Sequence, residues 1–205
     1  KRVVGDIVEV WADIFSDGHD RIAAQVLYRP ADEAEWRRGP MALFDNDRWV
    51  GRFQAELNTR YLFTIEGWRD SYASWRDEIG KKHAAGQDVA TEMDEGIALA
   101  VEAEAHAEGD DRLLLTDLVG RLQALGSVDA KLALLSSAPA ARLVGTHAHR
   151  ENLSRYDRTL EVVVDRPAAR FSAWYELFPR SAANDAGRHG TFDDVIARLP
   201  YVRDM

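Results

Sequence analysis

The 205-residue sequence contains no cysteine, which excludes disulfides and any thiolate metal or redox site. It also lacks a long hydrophobic run, since no apolar stretch approaches the roughly 20 residues of a membrane-spanning helix. The opening residues, Lys1-Arg2-Val3-Val4-Gly5-Asp6, have none of the apolar core of a secretory leader. These features fit a cytoplasmic protein. Positive charge is in deficit: 26 Lys and Arg face 35 Asp and Glu, for a net charge of -9, so the overall field opposes nucleic acid and anionic membranes as partners. No strand followed by G-x-G-x-x-G opens a helix, and neither a P-loop nor a G-x-S-x-G nucleophile elbow occurs. Proline is scarce, at 6 residues, and no proline/serine-rich linker divides the chain.

What is present is an ordinary globular composition, 46% hydrophobic and 30% charged, with length for one large domain or two small ones. Its distribution is uneven. Five of the 6 tryptophans precede Ile79, whereas nine acidic residues and no lysine or arginine lie between His83 and Asp111. The chain reads as β-rich, then helical, then β again.

In the first part, Ile7–Ala12 alternates Ile7, Glu9, Trp11 against Val8, Val10, Ala12, the period-two pattern of a strand. After a turn at Asp17-Gly18-His19-Asp20, further strands are expected at Ala23–Tyr28, Arg48–Gln54 and Arg60–Trp68, with a last one at Tyr72–Trp75. Weaker extended segments around Trp36 and Met41 flank an expected Gly39-Pro40 turn. Short strands with turn signals every 8–12 residues or so indicate an antiparallel, immunoglobulin-like sandwich. In the second part, Val89, Met93, Ile97 and Val101 predict one amphipathic helix, and Leu114, Leu118, Leu122 and Leu125 another. A third short helix over Val128–Leu135, with Ser127 as its cap, and a fourth after Pro139 complete a small bundle. Leu160–Val164 then returns to β, which makes the bundle an insertion.

The candidate site residues are few. Trp36, Trp49, Trp68 and Trp75 are candidates for stacking on sugar rings; core packing and edge cover is the competing and preferred reading, because strands are enriched in aromatics. Leu113, Leu114 and Leu115 are consecutive, so one helical stripe cannot bury all three, and they are candidates for a homodimer contact through the helical insertion. His147 and His149 flank Ala148, but an H-x-H pair without a third ligand reads as two loop histidines rather than a metal site. The acidic stretch reads as a solvated face. No catalytic, cofactor-binding or metal-binding residue is assigned.

Beyond Leu160 the residues become more specific. The run Ala169-Arg170-Phe171-Ser172-Ala173-Trp174-Tyr175-Glu176-Leu177-Phe178-Pro179-Arg180-Ser181 resembles the first barrel strand and following loop of α-amylase-type enzymes. More closely, it is similar to the maltosyltransferases that extend α-1,4-glucans from maltose 1-phosphate. Gly187-Arg188-His189-Gly190-Thr191-Phe192 and Leu199-Pro200-Tyr201-Val202-Arg203-Asp204-Met205 resemble the loop and helix that follow in that family. Lys1-Arg2-Val3-Val4-Gly5-Asp6, Asp17-Gly18-His19-Asp20, Asn46-Asp47-Arg48-Trp49, Ala85-Gly86-Gln87-Asp88-Val89 and Leu153-Ser154-Arg155-Tyr156-Asp157-Arg158 resemble its N-terminal region.

The resemblance implies an α+β arrangement: a β-sandwich over residues 1–78 and 156–168, an inserted helical bundle over 79–155, and the start of a (β/α)8 barrel over 169–205. It implies α-glucan and maltose 1-phosphate as substrates of the parent enzyme, no nucleotide or organic cofactor, and pairing of subunits through the inserted helices. Retaining sugar transfer needs two carboxylates, which in that family lie on later barrel strands, beyond Met205. Glu176 alone is half of such a mechanism, and His189 is at most a neighbour of the substrate. The expectation is an accessory and assembly region that is inactive by itself. A carbohydrate-binding module and a pure protein-interaction domain are the alternatives.

Overall fold

The computed structural model describes residues 1–171 and 173–205, in two compact units, 1–165 and 166–205. The first unit opens with strands β1 (Arg2–Val3), β2 (Ile7–Asp13), β3 (Ile22–Pro30), β4 (Arg37–Asp45), β5 (Arg48–Gln54) and β6 (Arg60–Arg69). Five helices follow: α1 (Ser71–Ala84), α2 (Ala90–His106), α3 (Gly109–Ala124), α4 (Val128–Ser136) and α5 (Ala138–His147). Strands β7 (Glu151–Arg155) and β8 (Leu160–Asp165) close it.

The strands form one mixed sheet in the order β1-β8-β6-β3-β4-β5-β2, with β7 beside β6. All pairs are antiparallel except β1–β8. The two end strands, β1 and β2, are consecutive in sequence, and Gly5 and Asp6 between them exchange backbone hydrogen bonds with Ala55 at 2.8 and 2.9 Å. The sheet is therefore nearly barrel-shaped. Period-two alternation decides its inner face: Val8 and Val10 of β2 point inward with Val26, Phe53, Tyr61 and Val164, whereas Ile7, Glu9 and Trp11 point out. A second cluster of Ala24, Met41 and Trp49 packs with Ile14 and Ile22 nearer the end where β2 leaves the sheet.

Two local expectations fail in the sheet region. Gly39-Pro40 is not a turn: Gly39 pairs with Val26 and Pro40 with Gln25 inside β4. Pro40 lies just outside the β4–β5 register, which starts at Met41, an edge-like position that proline tolerates. Tyr72–Trp75 is not a strand but the first turn of α1. Asp70 caps that helix by accepting from the Ala73 N–H at 2.8 Å, and Tyr72, Trp75 and Ile79 recur at three and four residues, so all three are buried. The expected boundary at residue 79 thus falls inside a helix.

The helices share a separate core. Tyr72 and Trp75 stack at 5.3 Å between ring centres. The Tyr72 hydroxyl donates to the Leu135 carbonyl at 2.8 Å, and the Trp75 indole N–H donates to the Glu92 carbonyl. The inward face of α2 is Met93, Gly96, Ala100 and Ala103 rather than the expected large-residue stripe, and Val101 is exposed. Gly96 there admits the bulky indole of Trp75. The buried face of α3 is Leu115, Leu118, Val119 and Leu122, so Leu114 faces out. Ser137 ends α4 and caps α5, as Ser127 caps α4.

In the second unit, the described residues of 169–181, the run that resembles a first barrel strand and its loop, are not β: Pro167–Arg170 is a 3-10 turn, and Ser172 lies outside the described residues. Residues Pro179–Ser181 form a second 3-10 turn, and α6 spans Phe192–Asp204. Thr191 and Asp194 form a capping box, and Asp194 also pairs with Arg188. These contacts hold the Asp194 carboxyl well below the usual carboxylate range, the Arg188 guanidinium being the largest cause.

Candidate functional site: a groove at one end of the sheet

The β2–β3 loop, the β4–β5 hairpin, the last residues of β6 and the first of β7 meet at one end of the sheet. They enclose a cavity of about 370 Å³ and a more open one of about 730 Å³. The smaller is floored by Ile14, Ile22 and Ile65 and walled by Trp68, Arg69, Asn152, Ser154 and Tyr156. The larger is lined by Trp11, Phe44, Asp45, Asn46, Asp47 and Arg48. Asp13 and Phe15 line both, so the two form one groove with Phe15 at the junction.

Two irregularities in strand pairing shape this groove. Between Leu43 and Asp45 the β4–β5 register slips by one residue, which leaves Phe44 as the extra residue. Its ring meets Trp11 edge to face, with centres 5.0 Å apart and planes at 86°. Between Gly67 and Arg69 the β6–β7 register slips again, and Asn152 supplies the extra residue on β7 in the left-handed conformation, at φ 54. Asparagine adopts that conformation more readily than most residues. Asn46, at φ 46, does the same at the tip of the β4–β5 hairpin.

The β2–β3 loop is pinned from below. The Trp49 indole N–H donates to the Ile14 carbonyl at 3.2 Å, and the Ile14 N–H donates to the Asp47 carbonyl at 2.8 Å. On the other wall, β7 is held by a ladder across three strands. Gln25, Glu66 and Arg155 are direct cross-strand neighbours. Gln25 donates to Glu66 at 2.6 Å, and Arg155 donates to the other oxygen of the same carboxylate through two N–H groups. Burial pushes the Glu66 carboxyl up, but the hydrogen bonds from Arg155 and Gln25 and the charges of Arg155 and Arg150 outweigh it and hold the group below its ordinary value. Arg150 also lies over the Trp68 ring at 4.3 Å. Arg69 bridges Asp20 at 3.0 Å and Glu151 at 3.3 Å.

The groove offers apolar rings, carboxylates and amides. Among the described residues, no group of three or more histidine, aspartate or glutamate side chains is arranged to hold a metal.

The structure disperses the four tryptophans proposed from sequence. Trp68 lines the groove, half-buried. Trp49 is buried beneath it, and Trp75, 5% exposed, is locked among the helices, so neither can stack on a sugar. Trp36 is half-buried under the Arg29 guanidinium, 4.8 Å from its ring centre. The aromatics that do stand exposed in the groove, Trp11, Phe15 and Phe44, were missed. The alternation of β2 carried the signal for Trp11, since it placed that residue opposite Val8 and Val10.

Of the three leucines, Leu115 is fully buried and cannot be a dimer contact, whereas Leu113 and Leu114 are 70% and 57% exposed. Leu114 lines a cavity of about 530 Å³ between α3, α4 and α5, with Leu118, Pro139 and Leu143. His147 is bound to Asp111 at 2.9 Å and His149 is exposed. Glu176 is exposed, and His189 contacts Arg180 at 3.1 Å.

Against known proteins, residues 1–166 match the family model described as "Alpha-1,4-glucan:maltose-1-phosphate maltosyltransferase, domain N/S". The chain belongs to this family. It is 44% identical over 207 residues to a Burkholderia pseudomallei protein named alpha-1,4-glucan:maltose-1-phosphate maltosyltransferase, all of the chain matching 18% of that protein. It is 44% identical to a Cereibacter sphaeroides protein and 42% identical to a Myxococcus xanthus protein of the same name, spanning 34% and 32% of their lengths. The chain thus corresponds to the N/S region of maltosyltransferases several times its length. The groove and its two bulges, Phe44 and Asn152, lie within the matched residues.

Proposed function

We propose that the chain is the N-terminal accessory and assembly region of an enzyme that transfers maltosyl units from maltose 1-phosphate to α-1,4-glucans. The observation that carries this reading is the match of the family to residues 1–166, together with 42–44% identity over the whole chain to maltosyltransferases. In this reading the curved sheet is the immunoglobulin-like N module, and the five helices between β6 and β7 are inserted into it. Residues 166–205 are the beginning of the catalytic barrel. The exposed Phe171, Trp174 and Phe178, together with Phe192 and Ile196 of α6, support the last point, because large apolar side chains in such number call for partners. The enzyme works in the cytoplasm on a phosphorylated donor.

The two carboxylates of retaining transfer are contributed by other parts of the enzyme, and the N/S region contributes none. The test is phosphate release from maltose 1-phosphate with a glucan acceptor. Release is expected from the full-length protein and not from this chain; turnover by the pure chain, or its absence from the full-length protein, contradicts the reading.

A further inference from the structure

We propose that the outer face of the sheet binds a phosphate dianion between Arg150 and Arg38, either inorganic phosphate or the phosphate end of a phosphomonoester. The proposal rests on this face alone and not on the maltosyltransferase reading.

Strand register brings the residues together. Val26 points into the sheet, so its neighbours Gln25 and Leu27 point out. Gln25 pairs with Glu66 and Pro40, and Leu27 with Arg38 and Thr64, while Arg155 of β7 pairs with Glu66. Arg38 and Arg155 therefore flank the same outward strip of β3 and β6. Arg150, just before β7, lies over the Trp68 ring at 4.3 Å, and its Nη1 is 3.8 Å from Glu66 Oε2. The floor of this strip is dry, since Gln25, Leu27, Thr64 and Glu66 are all buried. Charges over a dry floor act more strongly than charges in water.

Arg38, Arg150 and Arg155 share one carboxylate there. Both oxygens of Glu66 are taken, one by Arg155 and the other by Gln25, and 3.8 Å is too long for a hydrogen bond from Arg150. Among the described residues, neither the Arg150 nor the Arg38 guanidinium donates a hydrogen bond, although each is a fork of donors. The Arg150 side chain is 34% exposed. Burial pulls its guanidinium below the ordinary value and the charge of Arg38 adds to this, with Glu66 offsetting only part. Three cations against one anion leave an excess of two positive charges. A phosphate dianion balances that excess, and its oxygens accept from both free forks. The chain's net charge of -9 repels anions in general, so phosphate is retained only where such a local arrangement overrides it.

The test is calorimetric titration of the 205-residue chain at constant ionic strength and about pH 8, where phosphate is a dianion, with inorganic phosphate and in parallel with phenyl phosphate. Saturable binding of at least one is expected, with Kd below about 1 mM. Arg150→Gln and Arg38→Gln are each expected to weaken it about tenfold. Arg112→Gln, which removes the same charge from an exposed position of α3, is expected to leave it unchanged. Far-ultraviolet circular dichroism checks that each variant is folded, and Arg38→Gln, at an exposed position, suffices if Arg150→Gln is not. Tighter binding of phenyl phosphate supports a phosphomonoester as the occupant, and equal or tighter binding of inorganic phosphate supports the free ion. Absence of saturation with both, unchanged affinity in a folded Arg150→Gln or Arg38→Gln, or equal weakening by Arg112→Gln overturns the proposal. The titration contains neither maltose 1-phosphate nor glucan, so failure here is distinguishable from failure of the phosphate-release test.

Discussion

Gly96 shows how one residue can reverse a general rule. Replacing an exposed helical glycine by alanine stabilises a helix by about 0.5–1 kcal/mol, through lower chain entropy and better propensity. At Gly96 an added Cβ would lie 2.1 Å from Cζ2 of Trp75, which is buried and held by its hydrogen bond to Glu92. Neither ring nor helix can withdraw without opening the core. Gly96→Ala is therefore expected to destabilise the chain by about 2 kcal/mol. Gly120→Ala in α3, where a Cβ meets nothing within 4 Å, is expected to stabilise it by about 0.5 kcal/mol. Urea unfolding of both variants checks this, and equal signs would refute it.

At the scale of the element, β7 is the part of the sheet whose attachment depends most on charge. Its five residues are mostly exposed, so the Gln25–Glu66–Arg155 ladder, rather than apolar burial, fastens it. The folded-state pKa of Glu66 is depressed below the ordinary 4.5, so its contribution is fully present above that value and is lost as pH falls through the depressed one. Stability is thus expected to be insensitive to this group at neutral pH and to decline below about pH 4.5. Glu66→Gln is expected to lower stability at pH 7 by about 2 kcal/mol, less than for a fully buried pair because Arg155 is half-exposed. Its loss as pH falls below about 4.5 should be correspondingly shallower. Thermal unfolding of the two proteins across that range measures the difference; parallel curves would exclude the role. The same scale shows why α1 was misread. Tyr72–Trp75 is a short window rich in residues that also favour strands, and only its continuation to Ile79 reveals the helical period.

For the molecule as a whole, the surface beside α3 bears on assembly. Leu113 and Leu114 are exposed next to the α3–α4–α5 cavity, whose rim carries Asp111 and Asp117 together with Arg121 and Arg142. A surface with both signs of charge can pair with its own copy across a two-fold axis, each acid meeting a base. We accordingly expect the chain to be a dimer through this face at tens of micromolar or so. Leu113→Glu with Leu114→Glu is expected to render it monomeric while leaving its circular dichroism unchanged, because neither side chain is buried. Light scattering decides it: a monomer before substitution, or a dimer after it, would count against the helical face.

The strands β2, β5 and β6 were legible in the sequence because period-two alternation is a local property of a strand with one covered face, and β3 and β8 because each is a short apolar run stopped by a nearby proline. The cap Ser127 and the helix beyond it are local in the same way, and the motifs spread along the chain sufficed to recognise the maltosyltransferase family. Burial is not local. Trp49, Trp68 and Trp75 look alike in sequence, yet one is under the groove, one is in its wall and one is among the helices, because the neighbours that cover them come from β2, β7 and α2. The inward face of α2 departs from the expected stripe for a related reason: a side chain at Gly96 would collide with the Trp75 ring opposite it, which a search for large apolar residues does not see. The groove, too, was decided by tertiary structure. It depends on two one-residue slips in strand register, and register is a relation between segments as distant as Gly67 and Ser154, set by the packing of both against the rest of the sheet.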